Sequence, residues 1–266
     1  MKKFLVLLVL MMAGVGWLYW GNTTPVVTTN TVQLENFPSE FSGLKIIQLS
    51  DLHDAEFGEG QAELIETVTD RAPDLIFITG DLIDSNRYDL EQSLAVVRGL
   101  EDVAPIYYVT GNHEIATKES VYIKQQLSRM GVTVLSNEAV SYTRGNATIE
   151  IFGIEDPLDG VSVSNALNQN PRDEGVRLTL SHRPEVFEDY VAAGEQLVFA
   201  GHAHGGQIRL WGLGGVIAPG QGFLPAYTAG VYQEGETQMV VSRGLGNSIF
   251  PLRVGNRPEI VEVIVE

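Results

Sequence analysis

Five short apolar runs, each closed by a cluster of polar residues, constrain the fold of this chain more than any other feature. They are "LKIIQLS" (44–50), "DLIFIT" (74–79), "PIYYVT" (105–110), "VRLTLS" (176–181) and "QLVFA" (196–200). Short apolar runs bounded by turn residues read as buried strands. Helix-like stretches at 60–71, 89–100, 117–130 and 184–193 lie between several of them, as in β-α-β units. Further strands are expected at 132–135, 138–143, 147–154, 237–242 and 258–265, with short or turn-like links. The stretch "VVTTNTVQLENFP", within residues 22–43, reads as a spacer plus one edge strand. The pattern predicts one α/β domain over residues 44–266, with two packed sheets and helices outside. A chain of 266 residues is long enough to bury a substantial core.

The polar clusters carry the chemistry. "LSDLH" supplies Asp51 and His53, "TGDLID" supplies Asp81 and Asp84, and "TGNHE" supplies Asn112, His113 and Glu114. "LSHRP" adds His182, and "AGHAH" adds His202 and His204. Ligands of open α/β sheets bind beyond the carboxyl ends of the strands, so five strand ends can deliver these side chains to one place. All five histidines of the chain fall in these tips, which ordinary core histidines would not do. Imidazole, carboxylate and amide oxygen suit borderline first-row dications. The chain has no cysteine, which excludes disulfides, thiolate zinc sites, a cysteine nucleophile and a lipoprotein anchor. The candidate ligands exceed what one ion needs. Two ions sharing a carboxylate, about 3.5–4 Å apart, form the usual clamp for in-line displacement at phosphorus. Gly80, Gly111 and Gly201 immediately precede ligand positions, where sharp backbone turns are expected. The net charge of −17 argues against a general nucleic-acid binder. It leaves a phosphate substrate open, because bound ions invert the local field.

D-x-H, G-D-x-x-D, G-N-H-E, a lone His and G-H-x-H, in that order, resemble the calcineurin-like metallophosphoesterase superfamily. The surrounding text "GLKIIQLSDLH", "GHAHGGQ" and "SRGLG…PLR…RPE" looks like its bacterial YkuE/YaeI-type branch. The resemblance runs from about Leu44 to the C-terminus and implies a four-layer α/β/β/α sandwich of two mixed sheets. It implies that Asp51, His53 and His204 hold one metal, that Asn112, His182 and His202 hold a second, and that Asp81 bridges both. His113 would protonate the leaving oxygen or stabilise charge on the phosphoryl group, and Asp84 would orient it. A metal-bridging hydroxide would be the nucleophile, and the ions would be Mn²⁺, Zn²⁺ or Fe²⁺. Glu114 is expected to fix its loop. The activity implied is a phosphoester hydrolase, a phosphodiesterase in particular. The alternatives are a lipid-linked pyrophosphatase, such as one cleaving a UDP-diacyl-sugar, and a metal-stabilised binding protein without turnover.

Substrate contacts are less constrained. Arg183, Arg209, Arg243 and Arg253 lie in or near the motif loops, and Arg243 and Arg253 fall in family-like text. Each is equally readable as a surface ion pair. The apolar, glycine-rich stretch 210–232 reads as a β-hairpin packed on the core, or as a lip that accepts an acyl chain or faces a membrane.

The N-terminus begins with Lys2-Lys3, then 17 uncharged apolar residues from Phe4 to Trp20. As a helix this run spans about 25 Å, slightly short of the roughly 30 Å hydrocarbon core. Trp17, Tyr19 and Trp20 resemble an interfacial aromatic belt. The run is longer than a secretory h-region, and its small pair, Gly14 and Gly16, makes a poor cleavage site. Residues 1–21 are therefore expected to be an uncleaved signal anchor, with the lysines inside and the domain outside. A cleaved signal would instead release the domain. Lysines stand where some exported relatives carry a twin-arginine pair, which favours export before metal loading.

Overall fold

The computed structural model describes residues 2–172, 174–248 and 250–266. An N-terminal helix α1 (Lys2–Thr23), none of it buried, leads into β1 (Val26–Val32) and β2 (Leu44–Leu49). Then follow α2 (Ala62–Asp70), β3 (Leu75–Thr79), α3 (Leu90–Leu100), β4 (Ile106–Val109), α4 (Asn112–Ala116), α5 (Ser120–Arg129) and β5 (Thr133–Val134). The second half contains β6 (Glu138–Arg144), β7 (Ala147–Gly153), α6 (Val163–Gln169), β8 (Arg177–Leu180), α7 (Phe187–Ala193) and β9 (Leu197–Ala200). Four two-residue strands come next, β10 (Arg209–Leu210), β11 (Gly214–Gly215), β12 (Ile217–Ala218) and β13 (Gly222–Phe223). The chain ends with β14 (Gly230–Glu234), β15 (Thr237–Val241) and β16 (Glu259–Val265).

Two six-stranded sheets result, with the orders β1-β16-β2-β3-β4-β5 and β14-β15-β9-β8-β7-β6. Both are mixed. β2, β3, β4 and β5 run parallel in the first, and β7, β8, β9 and β15 in the second. The 22–43 segment contributes the expected edge strand: β1 pairs in parallel with β16 along its whole length.

Alternation of side chains along each strand sorts them into layers. Leu75 and Phe77 of β3 point between the sheets, beside Ile46, Leu178 and Phe199. Ile76 and Ile78 point the other way, into the cluster with Leu64, Leu94 and Ile123 of α2, α3 and α5. On the far side, Val198 and Met239 pack under α6 and α7, against Leu167 and Tyr190. The order is helices, sheet, sheet, helices, the four-layer α/β/β/α sandwich that the sequence motifs imply. Phe77 and Phe199 meet edge to face across the inter-sheet core, 4.9 Å between centroids, in the arrangement aromatic quadrupoles favour. Strands covered on both faces explain the unbroken apolar runs.

The 210–232 stretch is only in part the packed hairpin that the sequence suggests. β10 pairs with β11 and β12 with β13, each over two residues. Ala218 is buried, but Trp211, Leu213, Phe223 and Leu224 are exposed, Trp211 completely. Two ladders this short, closed by glycine turns, cannot alternate enough side chains inward to bury their tips.

Candidate metal centre

β2, β3 and β4 run parallel to one another, as do β8 and β9, and the residues just after them meet at one end of the sandwich. Main-chain bonds tie the tips together. Asp51 N donates to Gly80 O (3.0 Å) and His53 N to Asp81 O (3.1 Å). His202 N donates to Asp51 Oδ1 and Oδ2 (3.1 Å each), and His113 N to Asp81 Oδ1 (2.8 Å).

The side chains converge in two sets. In one, His53 Nε2 lies 3.1 Å from His204 Nε2 and 3.6 Å from Asp81 Oδ2, while His204 Nε2 is 3.4 Å from Asp51 Oδ1. In the other, His182 Nε2 lies 3.2 Å from Asp81 Oδ2, 3.2 Å from Asn112 Oδ1 and 3.1 Å from His202 Nδ1. Asp81 belongs to both sets, and their aspartates and histidines are all buried.

The chemistry of this donor set fits a metal. His182 Nδ1 sits 2.8 Å from the Thr79 carbonyl, which can only accept, so Nδ1 carries a proton. The Nε2 lone pair of the neutral ring then faces a carboxylate, an amide oxygen and a second imidazole nitrogen. Acceptors facing acceptors in a buried site call for a cation between them. The same demand appears in the proton equilibrium. Burial opposes charge on His182, but the Asp81 carboxylate overrides it and pushes the pKa up to about 10. His53, His202 and His204 are held below the ordinary imidazole range, in each case mainly by burial.

The backbone is strained at the same places. Asp51 (φ 50°), His53 (φ 49°), Asp81 (φ 50°), His202 (φ 63°) and His204 (φ 47°) all occupy the left-handed region. That conformation costs a side-chain-bearing residue on the order of 1 kcal/mol, and such strain gathers at functional sites. The glycines serve mostly in another way than expected. Gly80 does turn (φ 87°), but Gly111 (φ −107°) and Gly201 do not need a left-handed backbone. They are glycines because a Cβ on Gly111 would strike the Asp81 carboxylate, and one on Gly201 would strike Ser50 and Asp51.

His113 stands at the edge, 4.5 Å from the His53 ring between centroids. The Ser85 amide donates to its Nδ1 (3.0 Å), and its Nε2 lies 3.1 Å from Ser248 Oγ. Asp84, expected to orient it, comes only to 3.5 Å of Nδ1. The reason is competition: Asp84 Oδ2 accepts from Arg87 Nε (2.8 Å) and Nη2 (2.6 Å), and Oδ1 from the Asn86 amide (2.8 Å). His53, Asp84 and His113 lie close enough to form a third ligand set, but Arg87 already balances the Asp84 charge. Glu114 does fix its loop. It accepts from the main-chain amides of Gly111 (2.7 Å), Asp81 (3.0 Å) and Ile83 (3.2 Å). Burial, and then the nearby Asp81, push its pKa up to about 7.

The arginines are placed unequally. Arg243 pairs with Glu259 (2.9 Å). Arg253 is 1% exposed and lies at the back of His204, its Nη2 3.4 Å from Nδ1, on the side of the ring away from Asp51. Arg209 donates to Gly205 O and Thr228 Oγ1. Arg183 is the one beside the second set. It grips Asp156 with two nitrogens (2.6 and 3.0 Å) and places Nη1 2.8 Å from His202 Nε2. Sequence reasoning missed Asp156, Ser85, Ser248 and Asn256, which donates to His204 O (2.8 Å). Asp156 was findable, since it follows a parallel strand, β7, as the other tips do. The rest carry no local signal.

Comparison with known proteins agrees with this geometry. Residues 44–206 match the family model of the calcineurin-like phosphoesterases. The chain is 32% identical to the metallophosphoesterase YkuE of Bacillus subtilis, over 88% of this chain and 82% of that one. It is 30% identical to the phosphodiesterase YaeI of Escherichia coli, over 86% and 84%. It is also 30% identical to a bovine transmembrane protein with a metallophosphoesterase domain, over 91% of this chain and 57% of that protein. The chain belongs to the calcineurin-like phosphoesterase family.

Proposed function

We propose that this protein is a binuclear metal-dependent phosphodiesterase, anchored by α1 with its domain on the outer face of the membrane. The observation that carries the reading is Asp81, whose one carboxylate faces His53 on one side and His182 on the other. Asp51, His53 and His204 would hold one ion, Asn112, His182 and His202 the other, with Asp81 between them. Two divalent ions held there would supply Lewis-acid polarisation of the phosphoryl group and would activate a water for attack. His113 donates from Nε2 to a phosphoryl oxygen, fixed in that tautomer by the Ser85 amide. Arg183, locked by Asp156, keeps a positive charge beside His202 where a phosphate would enter. The anchor reading rests on α1, a 22-residue helix that begins with two lysines and is apolar from Phe4 to Trp20.

The test is turnover of bis(4-nitrophenyl) phosphate by the full chain in neutral detergent. Activity should vanish on chelation and return with Mn²⁺. Metal-loaded protein that turns over no phosphodiester, pyrophosphate or phospholipid would instead be a binding protein. The exposed apolar residues of 210–224 favour one second reading, a lipid-linked pyrophosphate as substrate. Release of a lipid phosphate from such a substrate, faster than from soluble diesters, would establish it.

A further inference from the structure

α1 does not leave the domain as a free tether. Asn22 exchanges two hydrogen bonds with the Arg253 main chain, donating to its carbonyl (3.0 Å) and accepting from its amide (2.7 Å). The Arg257 guanidinium lies 4.2 Å over the Trp20 ring. It also donates to the carbonyls of Thr24 and Pro25 (3.1 Å each). These contacts border an open cavity of about 340 Å³ between helix and domain. Trp17, Leu18 and Trp20 form its helix wall, and Arg243, Arg253 and Arg257 its domain wall.

Three guanidinium groups meet there with little to balance them. Among the described residues, the Glu259 carboxylate is the one acid within 4 Å of any of them, on Arg243. Arg253 directs its nitrogens at the carbonyls of Gly246 and Arg243. The remaining excess of positive charge stands out in a chain of net charge −17. The surroundings are those of a bilayer interface. Trp17 and Trp20 stand where an interfacial aromatic belt would lie. Phe250 and Leu252 are exposed beside Arg253, and Gln207 ties their carbonyls (3.1 and 2.8 Å) to the loop that carries exposed Trp211 and Leu213.

We propose that this cavity binds the phosphate headgroup of an anionic phospholipid from the leaflet that α1 enters. The proposal rests on the anchor reading of α1. The tryptophans cover the glycerol and upper acyl region, and Arg243 and Arg257 take the phosphate. Arg253 joins this seat to the back of His204, so the domain is held with its metal centre close to the lipid surface.

The experiment uses the full chain in dodecyl maltoside. Retention of dioleoyl-phosphatidylglycerol is compared with that of dioleoyl-phosphatidylcholine by native mass spectrometry. The protein as a whole is repelled by anionic surfaces, so a preference for phosphatidylglycerol has to come from a local site. One phosphatidylglycerol per chain should be retained over phosphatidylcholine. Arg257→Gln should weaken it about fivefold, whereas Arg257→Lys should hold it near the wild-type level. Equal retention of the two lipids overturns the proposal, and so does a preference that survives the double variant Arg243→Gln/Arg257→Gln. Competition by millimolar inorganic phosphate at equal strength would reduce the site to a free-anion site and overturn its lipid assignment. Flotation with phosphatidylcholine vesicles separates the two readings. A chain that floats without headgroup preference loses only the headgroup site, and one that does not float loses the anchor and the site together.

Discussion

Replacing His113 by alanine distinguishes two ways in which an imidazole can serve phosphoryl transfer. The Ser85 amide can only donate, and it points at His113 Nδ1 from 3.0 Å. A neutral ring held in this way carries its proton on Nε2, which faces Ser248 Oγ. With Nδ1 occupied by this donor, Nε2 is the ring nitrogen left to donate toward the site. Ser85 Oγ lies 3.1 Å from the same nitrogen, whereas Asp84 is 3.5 Å away and engaged by Arg87 and Asn86. His113 should therefore act as a hydrogen-bond donor from Nε2 to a phosphoryl oxygen. Removing one such donor lowers kcat by about 10²–10³. No proton is transferred, so the loss should be alike, within a few-fold, for 4-nitrophenyl and for alkyl leaving groups. The assay is steady-state hydrolysis of a series of aryl and alkyl phosphodiesters, with metal content measured on the same samples. Metal content should stay at the wild-type level, because both ring nitrogens have other partners. A deficit that is small for nitrophenol and grows steeply for alkoxide leaving groups would show general acid catalysis and refute the tautomer argument. Loss of metal would make His113 a ligand.

Asp81→Asn removes the one carboxylate common to both sets, so elemental analysis should show metal content falling along with rate. Chelation should lower Tm: at a metal concentration of about 100 times Kd, each ion adds about 2.7 kcal/mol, so two ions add roughly 10–20 °C for a domain of this size, and Mn²⁺ should restore it. Phe77→Ala opens a cavity against Phe199 and should cost about 3–5 kcal/mol in denaturant unfolding, with metal stoichiometry kept. In cells, external protease should remove everything beyond about residue 25; a mature N-terminus near residue 17 or 21 would show a cleaved signal instead.

The sandwich was legible because most of its strands are covered on both faces. Leu75 to Ile78 are apolar at every position because both faces of the strand are covered, and an unbroken run of four is visible without any structure. The helices that were missed are short. Asn112–Ala116 begins inside a motif whose residues are chosen for chemistry, so no apolar period marks it. Val163–Gln169 has a serine cap, Ser162, but only two turns to show a period. The 210–232 stretch misled because its leucines, tryptophan and phenylalanine are apolar without being buried. Hydropathy alone does not distinguish a core from an exposed apolar surface.

The site was legible for a related reason. A polar residue directly after a buried strand stays near the sheet end, so its position follows from the strand alone. Arg253 illustrates the limit. Its place behind His204 depends on a loop from another part of the chain, and spacing cannot reveal which face of a histidine a distant arginine meets. The glycines show a second limit. A sequence reader sees a glycine before a ligand and infers a turn, yet at Gly111 and Gly201 the need is for space beside Asp81 and Asp51. The unusual backbone belongs to the aspartates and histidines themselves. Asp and His are among the residue types that tolerate the left-handed region best, and the bonds from Asp51 N to Gly80 O and from His53 N to Asp81 O hold them there. At Asp81 and His202 a glycine, Gly80 or Gly201, stands directly before the left-handed residue, and its missing Cβ leaves room for Gly111 in the one case and for Ser50 and Asp51 in the other.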